Sequence, residues 1–575
     1  MTMRASGKLL LGVLAMWMTG GCANQHADLA IINARVWTGV PENPSAEAVA
    51  VCGDRIDVVG TNEAVQARVG PNTTIIDAGG RRVIPGLTDC HTHIIGAGLQ
   101  LDRLYLRDVA GREEFIAAVG EAAAGRKAGE WVLGGRWSVE SWADPQPPAK
   151  EWIDPVTGDV PVFLSRMDGH QALANSAALK LAGIDADGPP DPSGGEIERD
   201  PATGEPTGIL KDDAMDLVSD HIPPISDEQR DAALLRAMAH ANRLGITGVH
   251  NMSEPEDLAA FVRIRAAGKA TVRIRAFVMT EEWQPHYDTV REFDSDDWVT
   301  VGGFKGFMDG SLGSRTACMH DPYADAALDE KYPSGLLVAM ADPPEKMRNR
   351  IIDADRRGFQ VVVHAIGDRA NTLLLDCYEA ATERNGPRDR RHRSEHAQHL
   401  APADIARFAG IGVIASMQPS HKADDARYAE RAIGAERCKT SYAYRGLLDA
   451  GAEVCFGSDW PVVSVNPFKG IATAVTARSL DGRIWFPEQS MTVEEALRAY
   501  TTTATYAGFQ EDRVGALEPG KLADLVILDR DPLGIPPDQL GQVAVTHTIV
   551  GGRVVWSGEV SLAEGTDGAY KRAGR

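Results

Sequence analysis

His91 and His93 stand two residues apart at the end of the apolar run RVIPGLTDCHTH. On a β-strand, residues i and i+2 share a face, so both imidazoles would project together. A His-x-His pair alone carries little weight, because paired histidines are common in loops. Three more residues occupy the same kind of place: His364 closes FQVVVHAIGD, His396 closes RHRSEHAQ and Asp459 closes AEVCFGSDWP. Imidazole nitrogens and carboxylate oxygens are good ligands for a divalent cation. Any one of them could be a satisfied polar group in a core. Four histidines and an aspartate, each ending an apolar run, fit that explanation poorly as a set. Lys305 lies inside the run VGGFKGFMDG, where a lysine is costly to bury unless it is paired or neutral. It either meets a carboxylate such as Asp309 or Asp459, or its neutral amine adds carbon dioxide to form a carbamate able to bridge two metal ions.

These residues need elements that bring them to one place. Short buried strands alternating with helical segments imply parallel strands and βαβ crossovers, and the simplest such architecture is a (β/α)8 barrel over 85–509. Its C-terminal mouth is where barrel enzymes keep their chemistry. Eight runs are candidate strands: RVIPGLTDCHTH, VPVFLSRM, LGITGVHN, VGGFKGFMDG, FQVVVHAIGD, RHRSEHAQ, IGVIASMQPS and AEVCFGSDWPV. EWVLGGRW and VRIRAFVM also look extended, which leaves ten runs for eight places. The Pro-, Gly- and Asp-rich stretch 138–230 reads as an insertion over the site. Strand-like stretches at 27–84 and 510–562 are expected to join the two chain ends in a small β-sandwich. The segments EQRDAALLRAMAHANRL and TVEEALRAYTTTAT carry helical periodicity.

His91-x-His93, Lys305, His364, His396 and Asp459, in that order, resemble the amidohydrolase superfamily. More closely, PGLTDCHTH, DGHQALANSAAL, GFKGFMDGSLGSRTA, VVVHAIGDRA, RSEHAQ, FGSDWPV and GALEPGKLADLVILDRDP resemble its YtcJ-like branch, which contains N-substituted formamide deformylase. The likeness runs over nearly all of the chain after its first residues. It implies a TIM-like barrel, one or two divalent ions, usually zinc, and hydrolysis of a C–N bond by activated water. His91, His93 and Asp459 would hold one ion. His364 and His396 would hold a second or orient the first, with Lys305 bridging if carboxylated. Asp459 would carry the proton from the water to the departing amine. Barrels with such ligands also attack lactones, carbamates and phosphotriesters, and a non-catalytic small-molecule-binding protein is the other alternative. His170 and Arg315, in branch-like segments, are candidate substrate contacts, although His170 could simply fold its own segment and Arg315 could pair with Asp309. Trp137, Trp142 and Trp460 could wall an apolar substrate, Trp460 best of them because it follows Asp459. His250, His399 and His421 read as structural histidines.

The 575 residues carry a net charge of -22, which disfavours nucleic acid and anionic membrane surfaces as partners. A small-molecule substrate, and in some assemblies a second copy of the chain, are the expected partners. Residues 1–22 read as an export segment: Arg4 and Lys8 precede the short apolar stretch from Leu9 to Met18, then Thr19-Gly20-Gly21-Cys22 resembles a lipobox. Cleavage before Cys22 and lipidation of its sulfur would anchor the protein at the cell envelope without spanning a membrane. None of the other six cysteines forms a C-x-x-C pair, so no zinc ribbon or thioredoxin-like motif is present.

Overall fold

The structure, a computed structural model, describes residues 26–127, 129–327 and 331–558. The expected export segment and Cys22 lie outside the described residues. Among the described residues no helix is long and apolar enough to cross a membrane.

The central sheet has eight parallel strands, each paired with the next in chain order. They are β1 (Leu87–Thr92), β2 (Ile246–Ser253), β3 (Arg273–Met279), β4 (Val299–Phe307), β5 (Gln360–Ala365), β6 (Arg393–His396), β7 (Ile414–Met417) and β8 (Val454–Phe456). Strands β1, β2 and β5 are buried at every position, which is why they read as continuous apolar runs and not as alternations. Helices follow most strands, and the whole is a (β/α)8 barrel.

Strands β8 and β1 meet along a seam closed just beyond their ends. Asp459 N donates to His91 O at 2.7 Å, His93 N donates to Trp460 O at 2.9 Å, and Thr92 bridges Trp460 in parallel. Gly457 makes the seam possible, because a Cβ there would lie 2.5 Å from His91 N and 2.8 Å from Asp89 Oδ1.

Of the ten candidate runs, VRIRAFVM is the barrel strand β3. VPVFLSRM and EWVLGGRW are not in the barrel; they form Val162–Arg166 and Val132–Trp137 of a separate six-stranded sheet. That sheet pairs them in parallel, Val132 opposite Val162, so they carry the same buried, β-rich signature as barrel strands. It runs from Leu104–Tyr105 to Pro206–Asp212, starting ahead of the 138–230 stretch read as the insertion. Trp137 and Trp142 sit in its core, their Nε1 atoms donating to Leu164 O and Val109 O. Neither lines the cavity at the barrel mouth.

Two further sheets come from the chain ends. One is built from 29–77; the other pairs Arg82–Pro85 with Leu525–Leu528. The buried Arg273–Asp524 ion pair, at 2.7 Å, ties the second sheet to β3. Helix Asp227–Arg243 begins at a Ser226–Gln229 capping box. The stretch from Val493 breaks into two helices, Val493–Ala499 and Thr502–Ala507, where Thr501 leaves helical geometry at ψ -93°.

Candidate metal centre

The strand ends converge at the barrel mouth. His91, on β1, is fully buried, and its Nδ1 meets Glu395 Oε2 of β6 at 2.5 Å. Its Nε2 therefore faces inward, 3.6 Å from Asp459 Oδ1 and 3.2 Å from Lys305 Nζ of β4. His93 Nε2 lies 3.3 Å from the same Oδ1. On the other side, the His396 ring stands 4.9 Å from that of His91 and 4.4 Å from that of His364, the β5 histidine. His364 Nε2 meets the Gly310 carbonyl at 3.0 Å, and His396 Nδ1 meets Gln418 Oε1 at 2.7 Å. Each contact uses one ring nitrogen and leaves the other with a lone pair. Two candidate ligands, His396 at φ 77° and Asp459 at φ 58°, hold the left-handed backbone conformation that disfavours residues with side chains. Strain of this kind gathers where surrounding structure fixes a functional group.

The electrostatics favour neutral imidazoles around an ionised carboxylate. Burial, then the Lys305 charge, brings His91 down to about 4, and burial with positively charged neighbours holds His364 and His396 well below the usual imidazole range. Burial alone would raise Asp459, yet His91, His93 and His396 keep it well below the usual carboxylate range. Burial lowers Lys305 to about 8 against the attraction of Glu395 and Asp459, leaving an appreciable fraction of neutral amine near pH 8. Its hydrogen-bond contact among the described residues is His91 Nε2, and Asp309 is not its partner. Asp309 instead accepts backbone N–H groups from Cys318, Ile366 and Gly367, tying the loops after β4 and β5 together.

The donor set fits a divalent ion. His91, His93 and Asp459 each offer a ligand atom, all within 4.8 Å of one another, and so do His396, His421 and Asp459. Two ligands bonded at about 2.0–2.2 Å to one ion stand roughly 3–4 Å apart, the spacing seen at Asp459. The narrow cavity over the site measures ≈ 30 Å³, about the room two waters need. It is lined by His364, His396, His421 and Asp459 from the barrel and by Met167, Asp168 and His170 from the insertion sheet.

The remaining candidates divide. His170 reaches the cavity, its ring 4.8 Å from that of His364, with Nδ1 on Asp212 Oδ1 at 2.7 Å. Burial works against its charge, but Asp212 raises its pKa. Arg315 stands outside the cavity lining and pairs with Asp325 at 2.6 Å, not with Asp309. Trp460 is buried and stacked on His240 at 5.3 Å, so its indole belongs to the core and does not line the cavity. His250, under the site, accepts from Arg393 Nη1 at 2.8 Å, and His399 meets Ser441 Oγ at 2.7 Å.

Sequence reasoning passed over Glu395 and Arg393 here, and read His421 as a structural histidine. Glu395 accepts from Arg393 Nε at 2.6 Å, and both are fully buried; Arg393 also donates to Cys90 O. Burial alone would raise Glu395, but Arg393 and then His91 hold it far below the usual carboxylate range. The signal was present in RHRSEHAQ, where an arginine and a glutamate two apart share a face of a buried strand. His421 follows directly on the run IGVIASMQPS and carried no periodic signal.

A barrel whose strand ends converge four histidines, a lysine and a carboxylate is built as a metal-dependent hydrolase. The chain belongs to the amidohydrolase family, whose pattern matches residues 74–556. Protein LONG AFTER FAR-RED 3 of Arabidopsis thaliana is 38% identical, with 92% of each chain covered. YtcJ of Bacillus subtilis is 32% identical over 91% of this chain and 98% of its own length. The N-substituted formamide deformylase of Arthrobacter pascens is 28% identical over 92% and 98%. Among solved structures, an uncharacterized metal-dependent hydrolase from Pyrococcus horikoshii superposes with a TM-score of 0.71 at 26% identity, covering 88% of this chain and 99% of its own.

Proposed function

We propose that the protein hydrolyses a non-peptide C–N bond, in an amide, formamide or related group, using one or two divalent ions with zinc foremost. The observation that carries this reading is the convergence of His91, His93 and Asp459 on one buried point. The deformylase relative supports the bond type. A divalent ion held there supplies a water acidic enough to ionise near neutral pH and a Lewis acid for the substrate carbonyl.

The protein's own groups do the rest. Glu395 fixes the His91 ring through Nδ1, which keeps Nε2 as the ligand atom. Asp459 takes the proton of the attacking water and hands it to the departing nitrogen, a role worth about 10²–10⁴ in rate. Lys305, if carboxylated, would offer an anionic oxygen pair as a further ligand. His170 and Asp168, which line the cavity over the site, would meet the substrate there.

The test is metal content of protein purified without chelator, for wild type and His91→Ala, joined to an amine-release assay on N-substituted formamides and simple amides. Bound zinc that falls in the variant, with amine released by the wild type, is expected. Turnover confined to a lactone, carbamate or phosphotriester would refute the C–N assignment; absence of metal after incubation with zinc and bicarbonate would refute the hydrolase reading itself.

A further inference from the structure

His421, at the barrel mouth, has a buried ring nitrogen with no hydrogen-bond partner among the described residues. It lies on the short helix Pro419–Asp425 after β7, begins it with proline at the first turn, and is only 9% exposed. A hydrogen bond to the Ser458 backbone holds the ring from one side. Its Nε2 is buried, and no described residue hydrogen-bonds to it. An orphaned buried nitrogen costs stability unless something meets it.

What Nε2 faces is Asp459 Oδ2, at 4.0 Å. That separation is too long for a hydrogen bond and suits two ligands on either side of one ion. The His396 ring lies parallel to that of His421, at 11° and 6.0 Å between centroids, and its Nδ1 is already committed to Gln418. Ligand atoms from His396, His421 and Asp459, one each, lie within 4.8 Å of one another. The two oxygens of Asp459 thus look into two compartments: Oδ1 toward His91 and His93, Oδ2 toward His421.

We propose that His421 is a direct ligand of a second divalent cation, held with His396 and Oδ2 of Asp459 beside the ion of His91, His93 and Oδ1. This rests on the metal-dependent reading above and adds a ligand that the His-x-His, lysine, histidine, histidine, aspartate pattern does not contain. Asp459 becomes the shared wall between the ions, and each of its oxygens keeps a second lone pair for the proton it transfers.

The test reconstitutes metal-free full-length protein with zinc ion alone and counts bound metal after desalting. Wild type is expected to hold two equivalents, and His421→Ala and His421→Gln one. His93→Ala, which removes a ligand of the other compartment, is expected to keep one as well. The metal-free melting temperature of His421→Gln should match wild type while its zinc-induced rise is smaller, and added imidazole should restore the second equivalent to His421→Ala. Two equivalents in both His421 variants overturn the assignment. So does a wild type with one ion that those variants keep, or a loss that imidazole does not restore and that accompanies a lower metal-free melting temperature. No zinc in wild type overturns the metal-dependent reading, and this assignment with it.

Discussion

Replacing Glu395 with glutamine isolates the carboxylate that holds both Arg393 and His91. Glu395 and Arg393 are fully buried and 2.6 Å apart, so Glu395→Gln leaves a guanidinium uncompensated in the barrel interior. Breaking a buried pair from one side costs about 3–5 kcal/mol, and glutamine, which keeps shape and one acceptor, belongs at the lower end. The same change swaps the carboxylate on His91 Nδ1 for an amide, and losing such a partner weakens metal binding about 10–100-fold. Urea unfolding of metal-free protein reads the first effect, and zinc competition against a chromophoric chelator reads the second. The sign with pH also follows. Glu395 has a depressed folded-state pKa, so its stabilisation is complete above its unfolded value of about 4.3 and is lost only as pH falls toward the folded one. The gap between wild type and variant should therefore stay constant from pH 6 to 8. A variant as stable as wild type that binds zinc as tightly would refute the claim that Glu395 carries the positioning of His91.

Further outcomes follow from the same geometry. Asp459→Asn should bind zinc more weakly and, at saturating zinc, turn over at least about 100-fold more slowly; a loss of only a few-fold at saturating zinc would remove the proton-transfer role. Lys305 is lowered to about 8 in the fold, so the unfolded chain binds more protons between pH 8 and about 10. Metal-free wild type should therefore gain stability as pH rises through that window, and Lys305→Met should lessen the slope in urea unfolding, Lys422, which burial also lowers to about 8, supplying part of the remainder. Gly457→Ala forces a methyl against His91 N and Asp89, which should open the seam. A melting temperature lower by several degrees, with loss of bound zinc, is expected; wild-type behaviour would mean the seam tolerates the shift.

The centre was legible in the sequence wherever a ligand type closed an apolar run, as at His91, His93, His364, His396 and Asp459. Burial on both faces of parallel strands makes such runs conspicuous, and the barrel rule then places their ends together. The same signature misplaced VPVFLSRM, because a buried parallel pair in the insertion sheet looks locally like a barrel strand. Its neighbours in space, not its own residues, decide which sheet it joins. Arg315 and Trp460 had suitable chemistry, but Asp325 holds one and the stack on His240 absorbs the other. Glu395 was missed because a charged residue inside a strand counts against burial until its partners are known. His421 depends on the turn that Pro419 imposes after β7.

The joining of the two chain ends has a consequence for the order in which the molecule is made. Pro85 pairs with Leu525, and Arg55 bridges Leu522, so contacts at the base of β1 span nearly the whole chain. During synthesis, the strands before β1 wait with an open edge until almost the last residues emerge, while the barrel between them can already assemble. Contacts of such long range are slow to form. A ribosome-stalled chain ending before Leu522 should therefore be protease-sensitive around Arg35–Trp37 and Arg82–Pro85, the strands of the shared sheet, and release of the last strands should protect them in a single late step.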